Sequence, residues 1–203
     1  GGDPKISAAR ERVSRVTEMS LWHGIAALAK GKRLNDVGTA IEHYVNSQGK
    51  FGILEQYVGH GIGRSMHEDP PVFNYAVRGA TPKIEPGLVV AIEPMVTAGS
   101  ELTKVLADDW TVSTIDRSDA SHWEHSVAVH EGGIWVLTAE DGGAAGGGAD
   151  EAQATLDQRR LAGGVLAEQS HDRTGRDRER CLLQGRVQLV MLGHATPLQW
   201  WRG

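Results

Sequence analysis

The sequence predicts an α+β domain over residues 1–139, followed by a segment of different composition over residues 140–203. Two helical patterns come first, and a strand-rich half with short, hairpin-length connections follows them, an order typical of α+β folds. The composition then changes at DGGAAGGGAD, residues 141–150, which has too little side chain to pack. Residues 140–203 are therefore predicted to be a Gly-rich linker and a disordered tail.

The spacing of apolar side chains predicts both helices. Over residues 6–30 they recur at roughly helical intervals, and the pattern stops at Gly31. The second helix is expected to start from a capping Asn35 and to run to about Gln48, with an apolar stripe along one face.

Five later segments have strand composition and are bounded by turn residues. They are Ile53–Val58, Gly87–Met95, Trp110–Ile115, His122–His130 and Ile134–Thr138. The fourth alternates cleanly: Trp123 and His125 fall on one face, while His122 and Glu124 fall on the other.

The composition of the whole chain argues against several classes of protein. The net charge is -5, with acids and bases interspersed, so no basic stripe marks a nucleic-acid binder. The one cysteine, Cys181, permits neither a disulfide framework nor a thiolate zinc site within the chain, which fits a reducing compartment such as the cytoplasm. No apolar run is long enough to span a bilayer.

Candidate metal ligands come from three separate strands or strand ends. His60 lies in GHGIGRSMHEDP, residues 59–70, where glycines let the backbone approach a ligand closely. Glu93 ends the run LVVAIEP at a margin set by Pro94, and Glu124 lies beside small side chains on its strand face. One histidine and two glutamates suit manganese, iron, cobalt or zinc. Taken singly, each residue also reads as a turn histidine or an edge charge.

Other polar residues read mainly as structural. His122 shares the strand face of the last of these acids, and it is either an outer partner that orients the carboxylate or a solvated strand histidine; the second reading is favoured. Asp108 and Asp109 are expected to form a turn. His23 and His43 are expected at the surface.

Three blocks of this sequence together resemble a known family. GHGIGRSMHEDP, PGLVVAIEPMV and LADDWTVSTIDRSDASHWEHSVAV follow one another as in the type I methionine aminopeptidases, which have the pita-bread (creatinase/aminopeptidase-like) metallopeptidase fold. The resemblance extends to about residue 139 and implies the C-terminal portion of that fold. It also implies removal of the initiator methionine from nascent proteins when the next residue is small.

The resemblance implies a role for each matched residue. His60, Glu93 and Glu124 match metal ligands, in a site that holds two divalent ions (cobalt, manganese, iron or zinc) in the family. Glu93 also matches the catalytic glutamate that shuttles a proton from the attacking water. His67 matches a catalytic histidine that contacts the scissile peptide, and Trp110 matches a tryptophan at the wall of the substrate site.

The resemblance further implies partners and a location. The expected substrates are the amino termini of nascent peptides, with ribosome association possible as in the family. A cytoplasmic monomer without membrane attachment or nucleic-acid specificity is expected.

Two metal-ligating aspartates of the family have no match in this sequence. They belong on a strand pair before the first helix, and Asp3 lies too close to Thr17 in that helix to be one of them. The chain is therefore expected to be an N-terminally incomplete enzyme with impaired catalysis. Three alternatives stay open: an X-prolyl aminopeptidase relative, a non-catalytic pita-bread module that binds a peptide or the ribosome, and a single-ion hydrolase that uses only the three matched ligands.

Overall fold

The computed structural model describes residues 3–139 and, for the backbone alone, residues 189–191. Within these residues the helices are α1 Pro4–Lys30 and α2 Asn35–Ser47. The strands are β1 Gly52–Ile53, β2 Gly59–Gly61, β3 Glu68–Val72, β4 Val89–Ile92, β5 Met95–Thr97, β6 Thr103–Val105, β7 Val112–Thr114, β8 Ala120–His122, β9 His125–His130, β10 Gly133–Val136 and β11 Leu189–Met191. Apart from β11, the predicted linker and tail, 140–203, lie outside the described residues.

Helix α1 begins and ends where the sequence can satisfy its terminal backbone groups. The Asp3 side chain accepts a hydrogen bond from the Lys5 N–H at 2.8 Å, and Pro4 occupies the first turn, where a missing N–H costs little. At the other end, the Gly31 N–H donates to the Ala27 carbonyl at 2.7 Å. Asp3, set aside above as a metal ligand, is thus a helix cap.

The core forms where α1 packs against α2 and against both large sheets. Each fully buried aliphatic side chain there contributes about 1.5–3 kcal/mol. The buried hydroxyls of α1 are satisfied within the helix, since Thr17 donates to the Val13 carbonyl and Ser20 to the Thr17 carbonyl. The largest side chains of this core include Leu21, Ile25, Leu28, Leu34, Ile41, Ile92 and Ile134.

The predicted capping role of Asn35 is wrong. Leu34 occupies the N-cap position of α2 and makes no side-chain cap. The Asn35 side chain instead accepts a hydrogen bond from the Val77 N–H at 2.8 Å, which ties the start of the helix to the loop after β3. The same oxygen that would cap a helix is here used for a contact distant in sequence.

The strands form two large antiparallel sheets and one hairpin. The larger sheet has the order β10-β9-β4-β2-β3, the second has the order β1-β5-β8-β11, and β6 pairs with β7 alone. Within residues 3–139, three strands were not predicted: β2, which contains His60, β3, which contains Pro70 and Pro71, and β6. Prolines argue against a central strand, but β3 is an edge strand, where the missing N–H groups can be tolerated.

Two predicted strands each divide where the chain passes from one large sheet to the other. Gly87–Met95 becomes β4 and β5, with Glu93 and Pro94 between them. Pro94 has no N–H to donate, so the ladder stops there. His122–His130 becomes β8 and β9, again in different sheets.

These two breaks lie side by side. β4 pairs with β9 up to Ile92, and β5 pairs with β8 from Met95 onward. Between these pairings, the Trp123 N–H reaches the Pro94 carbonyl at 3.4 Å in place of a regular ladder. The shared interruption brings the glutamates of the two breaks next to each other.

The other strand predictions hold in part. Only the first residue of the predicted Ile53–Val58 strand lies in β1, and the Tyr57 carbonyl accepts a hydrogen bond from the Asn74 side chain at 3.2 Å instead of joining a ladder. The predicted strands at Trp110–Ile115 and Ile134–Thr138 are found, with shorter bounds, as β7 and β10. None of the described helices combines the length and the apolar character that crossing a membrane requires.

Candidate metal centre

His60 lies in the middle of β2, between β4 and β3. Its two glycine neighbours have no room for side chains: a Cβ on Gly59 would meet the Ala91 carbonyl, and one on Gly61 would meet the Asp69 carbonyl. The glycines therefore let β2 lie close against its neighbours and fix the position of the imidazole.

A backbone contact sets the orientation of the His60 ring. Its Nδ1 lies 2.9 Å from the Gly61 carbonyl oxygen, and because a carbonyl only accepts, Nδ1 is the donor. In the neutral imidazole this leaves a lone pair on Nε2, which lies 3.4 Å from Oε1 of Glu93. A lone pair that faces a carboxylate oxygen favours a proton or a metal cation between the two atoms.

Glu93 lies in the first strand break and is only 5% exposed. Its Oε1 faces His60, and its Oε2 lies 3.2 Å from Nε2 of His122. The Asn74 side-chain amide donates to the backbone carbonyl of Glu93 at 3.3 Å, which anchors the break. A carboxylate buried to this extent is costly unless it is paired or binds a metal.

Glu124, in the second break, completes a group of metal-binding character. One ligand atom from each of Glu93, His122 and Glu124 lies within 4.8 Å of the other two. Burial, and after it the Glu93 carboxylate, raises the pKa of Glu124, while His122 and His60 act in the opposite direction. Two carboxylates held together away from water lack positive charge, which a divalent cation would supply.

The types of donor atom in this group also suit a divalent cation. Two carboxylates and an imidazole, with a second imidazole beside them, suit a borderline divalent ion such as zinc, cobalt or manganese. The residues able to hold the ion are Glu93, His122 and Glu124, with His60 alongside.

Of the two remaining predicted site residues, His67 lies beside His60, whereas Trp110 lies in a separate hairpin. His67 is exposed in the loop after β2, and its ring lies edge-on to the His60 ring with a centroid distance of 4.3 Å. Trp110 lies in the turn of the separate β6–β7 hairpin. The Asp108 carboxylate accepts hydrogen bonds from the N–H groups of Trp110 and Thr111, which confirms that Asp108 forms a turn. His67 thus adjoins the candidate ligands directly, whereas Trp110 is positioned by a hairpin.

The favoured prediction for His122, a solvated strand histidine, is wrong. His122 is only 9% exposed and faces Glu93, because β8 lies between β5 and β11 rather than at an edge. His43 is exposed as expected, but His23 is half-buried and stacks on Tyr44 with a centroid distance of 4.3 Å.

Asn74 is a functional candidate that the sequence did not predict. This residue is fully buried, and its amide joins the Tyr57 and Glu93 carbonyls across two segments. A lone asparagine after a short strand gives no local signal of such a role. The signal available for His122 was its alternation with Glu124 along one strand face.

Comparison with known proteins agrees with this architecture. The sequence profile of metallopeptidase family M24 matches residues 2–131. The chain belongs to metallopeptidase family M24.

Curated relatives that match this chain include methionine aminopeptidases. Methionine aminopeptidase 1 of Bacillus subtilis strain 168 is 43% identical over 133 residues, which cover 66% of this chain and 53% of the relative. Methionine aminopeptidase 1 of Mycobacterium tuberculosis strain CDC 1551 is 48% identical over 138 residues, covering 66% and 52%. The chain thus spans about half the length of the curated relatives it matches.

Solved structures give the same picture. The methionine aminopeptidase of Rickettsia prowazekii superimposes with a TM-score of 0.61 at 33% identity, over 68% of this chain and 55% of that one. The enzyme of Thermotoga maritima gives a TM-score of 0.60 at 40% identity, over 64% and 52%. The predicted α+β pita-bread fold and the resemblance to methionine aminopeptidases are confirmed.

Proposed function

We propose that this M24 chain takes part in metal-dependent removal of the N-terminal methionine from newly made proteins whose second residue is small. The observation that carries the proposal is the group formed by buried Glu93, buried His122 and half-buried Glu124 beside His60, with the exposed His67 next to it. The relatives named above supply the substrate class, since both curated proteins are methionine aminopeptidases. They do not favour the X-prolyl alternative.

The roles proposed for the residues come from the family resemblance. His60, Glu93 and Glu124 would hold a divalent cation, which when bound lowers the pKa of a water and polarises the peptide carbonyl. Glu93, whose oxygens face two imidazoles, would accept the proton of the attacking water and pass it to the leaving amine. His67 would donate a hydrogen bond to the developing oxyanion from the exposed side. Trp110 would line the substrate pocket.

Several finer expectations stay predictions. The choice among cobalt, manganese, iron and zinc is open because each suits this donor set. Two ions per site, a cytoplasmic location, a monomeric state and contact with the ribosome rest on the family resemblance alone.

The test is methionine release from a Met-Ala-Ser peptide by the 203-residue chain with added manganese or cobalt. We expect slow release, in line with the impaired catalysis predicted from the two unmatched aspartates, and we expect it to depend on the metal and to stop with a chelator. His67→Ala should lower the rate by about 10²–10³-fold, the usual effect of losing an oxyanion donor. The exposed His43 provides the matched control, and His43→Gln should leave the rate unchanged.

Metal content is measured on the same samples. A folded, metal-loaded wild-type chain that releases no methionine would contradict the proposed function and support the non-catalytic peptide-binding alternative. Release that His67→Ala leaves intact would contradict the role of His67.

A further inference from the structure

We propose that His122 is a direct nitrogen ligand of the divalent cation bound by Glu93 and Glu124. This inference rests on the proposed metal-dependent function, but it adds a ligand that the family resemblance does not assign. The resemblance matches His60, Glu93 and Glu124 to metal ligands and leaves His122 without a role.

The first support is the state of the His122 ring nitrogen. The residue is 9% exposed, and within the described part of the chain its Nε2 has no hydrogen-bond partner. A buried polar nitrogen without a partner destabilises the folded state. Coordination to a cation would satisfy this nitrogen, and the carboxylates of Glu93 and Glu124 lie within reach of the same ion.

The second support is the distance to Glu93. Nε2 lies 3.2 Å from Oε2 without the alignment of a hydrogen bond, whereas a charge-assisted N–H···O bond is about 2.7–2.9 Å long. Two neighbouring ligand atoms that each lie about 2.1 Å from one ion are about 3.0–3.4 Å apart. The spacing therefore fits a shared ion better than a histidine that only orients the carboxylate through a hydrogen bond.

The third observation is the rigidity of the backbone that carries His122. His122 ends β8, which pairs with strands on both sides, and it lies opposite Met95 in the register with β5. Glu93 and Glu124 occupy the two adjoining strand breaks. A ligand on a paired strand, as His122 is, keeps its geometry better than a ligand on a loop, as a metal site requires.

The ligand class follows from the donors. Two carboxylates balance the charge of a divalent ion, and an imidazole added to them shifts the preference from magnesium or calcium toward transition metals and zinc. We therefore expect the site to take zinc, cobalt, manganese or the spectroscopic substitute cadmium.

The experiment that tests the proposal is cadmium-113 NMR on the full chain labelled with nitrogen-15 in histidine. We expect a scalar coupling between bound cadmium and the His122 ring nitrogen, lost in His122→Gln and kept in His43→Gln. Circular dichroism and cadmium uptake are measured on each sample, and His122→Asn serves as a second variant if the first fails to fold.

Affinity alone does not separate a ligand from an orienting partner, because loss of an outer partner already costs about 10–100-fold. The coupling does separate them. A wild-type chain that binds cadmium without coupling to His122, or that binds no cadmium, would overturn the proposal.

Methionine release from the manganese-loaded chain distinguishes this inference from the proposed function. Coupling to His122 in a chain that releases no methionine would keep His122 as a ligand and contradict the function. Release by a chain that shows no coupling would keep the function and overturn the ligand.

Discussion

His122 and His125 flank the break between β8 and β9, and both are buried, yet their surroundings differ. A hydrogen bond of 2.8 Å joins Nδ1 of His125 to the Thr138 hydroxyl, and the ring packs edge-on against Trp22 at 5.1 Å. Nε2 of His122 faces the Glu93 carboxylate without an aligned hydrogen bond. Burial therefore does not distinguish a structural histidine from a functional one; the group that the ring nitrogen faces does.

The change of sheet explains the difference. His125 starts β9 and points into the core formed with α1, whereas His122 ends β8 beside the glutamates of the two breaks. If this difference is real, substitutions around His122 should change metal binding, whereas substitution of His125 should change the stability of the fold.

The largest effect should come from Glu93→Gln, because this carboxylate faces both His60 and His122. We expect zinc affinity to fall by more than about 100-fold, beyond the loss typical of an outer partner. Isothermal titration of the purified chain measures it. An affinity within about tenfold of wild type would show that Glu93 is not a ligand.

His125→Ala should act on stability instead. It empties a core position and removes a buried hydrogen bond, so the free energy of unfolding should fall by about 2–4 kcal/mol in urea titrations. The folded fraction should keep its zinc affinity. His122→Gln should change metal-free stability by less than His125→Ala does, because Nε2 of His122 makes no aligned hydrogen bond that the substitution would remove. A larger loss of unfolding free energy in His122→Gln than in His125→Ala would contradict the distinction between the two histidines.

Glu124→Gln should have opposite effects with and without metal. Its raised pKa means that the fold disfavours the charged form, so removing the charge near Glu93 should stabilise the metal-free chain at neutral pH. The gain should be about 1–4 kcal/mol, the range for two like charges about 4 Å apart between bulk water and a protein surface. In saturating zinc the variant should instead be less stable than wild type. Thermal unfolding with and without zinc measures both effects. A metal-free variant less stable than wild type would contradict the proposed repulsion between Glu124 and Glu93.

Asp108→Asn should have the smallest effect and the opposite sign. The Thr111 hydroxyl, followed by backbone N–H groups, lowers the pKa of Asp108, so its ionised form is favoured in the fold. This contribution is present above the unfolded pKa of about 3.9 and is lost as the pH falls through the folded value. The variant should melt slightly earlier than wild type at pH 7, and the difference should vanish in acid. A difference that grows on acidification, measured by calorimetry, would contradict this assignment.

The sequence was sufficient for features set by nearby residues. The α1 and α2 stripes follow helical spacing, and His60 and Glu93 were chosen because glycine and proline mark their strand margins. Their roles as ligands, like that of Glu124, stay predictions. The adjacent breaks could not be foreseen, because their alignment depends on the pairing of β4 with β9 and of β5 with β8.

The errors have the same origin. His122 was expected in solvent because the position of β8 within its sheet is not encoded near it in the sequence. β3 was missed because Pro70 and Pro71 argue against a strand unless it is known to lie at an edge. Asparagine is a common helix cap, but the side-chain oxygen of Asn35 accepts a hydrogen bond from the Val77 N–H instead.

Anomalous diffraction at the zinc edge, from crystals of the full chain grown with zinc, tests the metal centre most directly. We expect a peak about 2.0–2.2 Å from Nε2 of His122 and from carboxylate oxygens of Glu93 and Glu124. A peak bonded to the glutamates but out of reach of His122, or no peak between the two strand breaks, would contradict it.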